Sequence, residues 1–129
     1  MTDYRIERDS LGELKIPKDA YYGANAYRAY ENFKITNKAM DPYFIRAIVD
    51  VKKACAIQNN EVGILSDKKS QAIVDACDEV LAGSYIEDFI VDPIQGGAGT
   101  SFNMNANEVI ANIANVALGG SLGHYENIH

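Results

Sequence analysis

The spacing of apolar residues changes period several times along the chain. Residues 5–17, Arg-Ile-Glu-Arg-Asp-Ser-Leu-Gly-Glu-Leu-Lys-Ile-Pro, alternate loosely about Leu11-Gly12. This predicts a short hairpin or two extended arms, ended by Pro17. Tyr22, Ala26, Ala29, Tyr30 and Phe33 then fall at helical spacing, so a short helix is expected within 21–33. Asp41-Pro42 is a helix start, an N-cap carboxylate followed by proline in the first turn. The pattern from there runs through Phe44, Ile48, Val51, Cys55 and Val62. Ile45, Ala47, Val49, Ala54, Ala56 and Ile57 widen the apolar arc, which implies packing on more than one side. Gly63 suits the position after that helix. Ser66 caps a second helix with Ile73, Cys77, Val80 and Leu81 inward and Gly83 at its end. Tyr85–Pro93 reads as an extended linker. A third main helix is expected from about Asn103 to Leu118, with Val109, Ile110, Ile113, Ala114, Ala117 and Leu118 as its apolar face, stopped by Gly119-Gly120. The tail from Ser121 to His129 has no period. The expected fold is mostly α: three main helices with a short extended or hairpin N-terminal segment, in one domain.

Composition narrows the class. A chain of 129 residues is long enough for one domain with a core. Its net charge of −6 and pI of about 4.8 disfavour nucleic acid and anionic membranes as partners. The pairs Lys52-Lys53 and Lys68-Lys69 are read as solvated helix faces. No apolar run approaches a membrane span, and Met-Thr-Asp-Tyr-Arg-Ile-Glu is not a signal peptide, so a cytoplasmic protein is expected. Cys55 and Cys77 both fall on apolar sides of helices and are expected as buried, reduced thiols, a disulfide remaining open. With no Cys-x-x-Cys pair and with histidine confined to His124 and His129, no metal site is expected.

The candidate chemistry lies in residues 95–108, Gln-Gly-Gly-Ala-Gly-Thr-Ser-Phe-Asn-Met-Asn-Ala-Asn-Glu. Gly96, Gly97 and Gly99 permit left-handed backbone and close approach to another molecule. Thr100 and Ser101 follow, then amides at Asn103, Asn105 and Asn107. Two readings are open. Most Gly-rich turns before helices are only turns with a hydroxyl N-cap. The other reading is an anion site at a helix N-terminus, where amide groups are free and the dipole is positive. A nucleotide phosphate loop does not fit, because Gly-x-x-x-x-Gly-Lys-Ser/Thr is absent and no lysine follows Asp78. The dinucleotide fingerprint is absent too. A hydroxyl-rich site for a carboxylate remains.

The segment Gly-Gly-Ala-Gly-Thr-Ser-x-Asn-Met-Asn-x-Asn-Glu-Val resembles the first active-site segment of the aspartase/fumarase superfamily. The opening Arg-Ile-Glu-Arg-Asp-x-x-Gly-x-x-x-Ile-Pro-x-x-Ala-Tyr-Tyr-Gly, with Arg28-Ala-x-Glu-Asn-Phe33 after it, resembles that family's opening. Ala98-Gly99-Thr100-Ser101 is more similar to the aspartate ammonia-lyases than to the fumarases, which carry Ser-Gly-Thr-Gln. Asn25-Ala26 departs from the Gln-Thr or His-Thr usual in the family. The resemblance implies elimination of ammonia from L-aspartate to give fumarate. A base takes the Cβ proton and the β-carboxylate takes up the charge. It implies a small-molecule dicarboxylate substrate, no cofactor, and a homotetramer whose sites are built from three subunits. It implies that Thr100, then Ser101, with Gly99, bind substrate, with Asn103 and Asn105 in support. His129 resembles the histidine of a secondary carboxylate site, or is a frayed terminus. The general-base serine of the family's mobile Gly-Ser-Ser loop lies outside this chain. Residues 1–129 are thus expected to be an N-terminal lyase domain lacking the central helical bundle and C-terminal domain, and inactive alone. A fumarase N-terminal domain, or a catalytically silent helical module that self-associates, are the alternatives. Three local expectations complete the reading. At least two of Asn103, Asn105 and Asn107 bond to loop backbone. Glu108 is an early-helix carboxylate favoured by the dipole. Arg28 pairs with Glu31 or orders the site.

Overall fold

A computed structural model describes residues 3–129. The N-terminal segment is a hairpin of β1 (Tyr4–Asp9) and β2 (Gly12–Pro17), paired antiparallel with Arg5 opposite Ile16 and Asp9 opposite Gly12. Asp9 Oδ1 accepts the Leu11 N–H at 2.9 Å and fixes the two-residue turn. Of the two forms expected for residues 5–17, the paired one is present.

Four helices follow among the described residues, not three: α1 (Ala24–Asn32), α2 (Pro42–Glu61), α3 (Asp67–Leu81) and α4 (Thr100–Ala117). The expected short helix is a full element, and its strength is not local. Gly23, at its N-cap position, supplies no side-chain cap; carboxylates from other elements do, as described below. The next two helix starts are local. Asp41 accepts the Tyr43 N–H at 2.8 Å, and Ser66 caps α3.

On α2 the expected inward line is reversed. Ile45, Val49 and Ala56 are buried, whereas Phe44, Val51 and Cys55 are exposed. The apolar arc of this helix is much wider than one stripe, so periodicity could not say which part of it meets α3 and α4. Tyr85–Pro93 is not a plain extended linker either. It holds a 3-10 turn at Ile86–Asp88, and Phe89 and Val91 are buried. The core lies where α2, α3 and α4 meet, around Val49, Cys77, Val80, Phe102, Val109 and Ile113.

Helix α4 organises the molecule. Its apolar face, Phe102, Ala106, Val109, Ile110 and Ile113, fills the core. A second stripe, Asn105, Glu108, Asn112 and Asn115, is polar and also buried. Its members bond to backbone in three other stretches of chain: Asn105 to Asp88 and Val91, Glu108 and Asn112 to residues 21–26, and Asn112 and Asn115 to Gly123 and Ile128. Among the described residues, no buried side-chain nitrogen or oxygen lacks a partner. Burial of so much polarity is sustained because each group is bonded. Among the described residues, no helix is long and apolar enough to cross a membrane.

Candidate functional site

Helix α4 begins at Thr100, three residues earlier than its apolar pattern suggested. Gly99, at the N-cap position, has φ of 72°, left-handed backbone that a side chain would strain. The Asn103 N–H donates to Gly99 O at 3.0 Å and closes the first turn. The Phe102 N–H donates to Gln95 Oε1 at 3.2 Å, so the loop is closed across its base by a side chain. Phe102 is buried and stacks on Phe44 with ring centroids 4.9 Å apart, which anchors the turn to the core. The amides of Thr100 and Ser101 donate no hydrogen bond among the described residues, and neither do their hydroxyls. Thr100 is exposed and Ser101 half-buried. Gly99, Thr100 and Ser101 therefore stand together as free donors at the positive end of α4, an arrangement suited to a carboxylate.

The segment entering the loop is fixed from two sides. Asn105 accepts the Val91 N–H at 3.2 Å and donates to Asp88 O at 2.9 Å. Asp92 accepts the N–H groups of Thr36, Asn37 and Ile94 at 2.8–2.9 Å and the Thr36 hydroxyl at 2.9 Å. Burial pushes the Asp92 carboxyl up, but those donors outweigh it and hold it below the usual carboxylate range.

Of the three asparagines, Asn105 alone bonds to loop backbone. Asn103 Oδ1 accepts from Lys52 Nζ of α2 at 2.5 Å, and Asn107 Nδ2 lies 3.6 Å from Met104 Sδ. The expectation of at least two was wrong because helical geometry turns these alternate residues to different sides. His129 is exposed and lines a surface cavity of about 260 Å³ with Lys52, Cys55, Asn59 and Asn107. Asn107 is seven residues along α4 from Thr100, roughly 10 Å at the helical rise. The structure thus groups Gly99, Thr100 and Ser101, sets Asn105 behind them, and leaves His129 apart.

Glu108 is not at its own helix's N-terminus. It lies two turns into α4, 6% exposed, and serves another helix. Its Oε2 accepts from Gly23 N at 2.7 Å and Ala26 N at 3.1 Å, and its Oε1 from Asn25 N at 2.8 Å. Glu7 Oε2 accepts from Ala24 N at 2.9 Å. Two carboxylates thereby satisfy the amides that begin α1, which otherwise lack partners. Burial pushes the Glu108 carboxyl up, opposed by these N–H bonds. Arg28 does not pair with Glu31. It makes a forked contact with Asp9 at 2.8 and 2.9 Å, tying α1 to the hairpin, while Glu31 pairs with Lys34. Sequence reasoning missed Gln95, Asp92, Glu7, Asn112 and Asn115. The polar stripe had a signal: Asn105, Glu108, Asn112 and Asn115 recur at helical spacing on an apolar helix. Among the described residues, no three of His, Cys, Asp and Glu gather as metal ligands.

A family model described as Lyase matches residues 12–129. An aspartate ammonia-lyase from a Bacillus species is 56% identical over 98% of this chain and 27% of its own length. A class II fumarate hydratase from Halobacterium salinarum is 53% identical over 94% of this chain and 26% of its own. A crystal structure of a Brucella melitensis protein described as fumarate lyase:delta crystallin superposes with a TM-score of 0.95 at 50% identity, covering 98% of this chain and 28% of that one. The chain spans about a quarter of the length of the curated relatives it matches. The matched motifs, the fold and this coverage together show that the chain belongs to the lyase family of the aspartase/fumarase superfamily.

Proposed function

We propose that this chain is the N-terminal lyase domain of an aspartate ammonia-lyase, with Gly99, Thr100 and Ser101 as one wall of a dicarboxylate site. The observation that carries the reading is the start of α4. There two hydroxyls and two amides stand unpaired on left-handed Gly99 backbone at the helix's positive end. In the reaction, a base takes the Cβ proton of L-aspartate, and the electron pair moves onto the β-carboxylate as a second negative charge. That pair then forms the C=C bond as the Cα–N bond breaks and ammonia leaves. Donors fixed on the carboxylate oxygens stabilise this doubly charged state more than the substrate. Thr100 is the first donor in this reading and Ser101 the second. Asn105 and Asn103 support the turn from α4's flanks.

The base belongs to segments beyond these residues. The 129-residue chain is therefore inactive alone and works within a cytoplasmic homotetramer of the longer protein. Fumarase is the second reading, favoured by the near-equal likeness to a class II fumarate hydratase. A silent helical module is a third, favoured by the exposed apolar line of Phe44 and Val51 on α2. Assays of the longer protein and of residues 1–129 with L-aspartate, following fumarate and ammonia, separate the three. The longer protein is expected to release both and the short chain neither. A longer protein that hydrates fumarate but releases no ammonia would establish the fumarase reading. One that does neither leaves the silent module, and turnover by residues 1–129 alone overturns the shared-site reading.

A further inference from the structure

Gln95 precedes the glycines and has no role in the reading above. The residue is 9% exposed although it sits beside an exposed turn. Its Oε1 takes the Phe102 N–H, the third amide of α4. Because that partner is a donor, the amide orientation is fixed by chemistry: oxygen faces the helix and Nε2 faces away. Nε2 donates to nothing among the described residues. Since no buried side-chain nitrogen there lacks a partner, Nε2 reaches solvent at the loop.

We infer that Gln95 is a positioning residue for the carboxylate site. The inference rests on the dicarboxylate reading of Thr100 and Ser101. By occupying the Phe102 amide, Gln95 closes the base of the Gly96–Gly99 loop. The Thr100 and Ser101 amides are then the ones left open to a ligand. A neutral side chain is required for this task. A carboxylate in its place would still accept the Phe102 N–H. It would also bring a negative charge within one turn of the bound anion and replace the outward Nε2 donor with an acceptor.

The test reads Phe102 amide exchange by NMR in the 129-residue chain, and measures binding of succinate, a non-reacting dicarboxylate probe, to the longer protein that completes the site. In Q95A the Phe102 amide should exchange about tenfold faster, the effect of losing one neutral hydrogen bond, and succinate should bind more weakly. In Q95E the Phe102 amide should stay protected while succinate affinity falls by about tenfold or more. A purely structural role predicts no loss of affinity in Q95E. Unchanged Phe102 exchange in Q95A overturns the inference. So does altered exchange with succinate affinity unchanged in both variants. Absence of succinate binding to the unsubstituted longer protein instead sinks the dicarboxylate reading, and the exchange result still decides whether Gln95 orders the loop.

Discussion

Thr100 stands at the first position of α4 with its hydroxyl and amide both unpaired, and it contributes no packing that its exposure would reveal. In the longer protein, Thr100→Val is expected to lower kcat by about 10²–10³, the typical effect of removing one donor from developing charge. The thermal midpoint should stay within measurement error, because the change is an exposed one away from the core. Full activity in the variant would remove Thr100 from the site. Asp9 supports a pH prediction at the same scale. The hydrogen bond from Arg28 holds its carboxyl below the usual range, helped by the Leu11 and Gly12 amides against modest desolvation. A carboxyl depressed in the folded state binds fewer protons there than in the unfolded chain. Its stabilising contribution is present above the ordinary carboxylate value and is lost as pH falls through the folded one. NMR titration of Asp9 should show a depressed midpoint that returns toward 3.8 in Arg28→Gln. An unchanged midpoint would mean that Arg28 is not the cause. Asp9 and Arg28 were both visible as charged residues in the sequence. Their pairing was not, because it spans the hairpin and α1 while Glu31 lay at a more obvious helical spacing.

The elements divide by where their termini are satisfied. Helices α2 and α3 start on Asp41-Pro42 and Ser66, one residue beside the helix each serves, and both starts were legible. Helix α1 starts on Gly23, whose neighbours are Glu7, Glu108 and Tyr125 from three other parts of the chain. A Cβ built on Gly23 would lie 2.4 Å from Tyr125 Oη and 2.9 Å from each carboxylate. Gly23→Ala is therefore expected to destabilise the fold by about 1–3 kcal/mol through overpacking. Glu108→Gln would turn an amide N–H₂ toward one of the backbone donors of α1. A cost of about 2–4 kcal/mol is expected for losing a charge-assisted bond and stranding a buried donor. Urea unfolding of both variants measures this. A Glu108→Gln midpoint equal to the parent's would show that the carboxylate cap is dispensable. The same non-locality explains why α4 was placed too late. An amide of its first turn is held by Gln95, which no apolar period can reveal.

Across the whole molecule, the two cysteines report which surfaces are covered. Cys77 lies in the core between α2, α3 and α4, and burial pushes its thiol up to about 12. Cys55, expected to be buried as well, is exposed on α2. In the 129-residue chain a thiol reagent should modify Cys55 under native conditions, and Cys77 only after unfolding. Equal rates would mean that the core opens readily around Cys77. The exposure of Cys55, Phe44 and Val51 was not legible from sequence. A helix with so wide an apolar arc states that it packs widely, without saying which neighbours are present.

The sequence by itself determined the extended N-terminal segment, a short helix within residues 21–33, the helix starts at Asp41 and Ser66, the glycine stops and the place of the Gly-rich turn. These depend on backbone preferences and on side chains within a few residues of where they act. It also carried enough motif to identify the superfamily. Tertiary structure alone decided that Glu7 and Glu108 cap α1, and which face of α2 is buried. It also decided that a buried polar stripe on α4 holds three separate stretches of chain. Each of these depends on groups distant in sequence meeting in a dry interior, where a polar atom is stable only with its partner in place. No local pattern encodes such a partner.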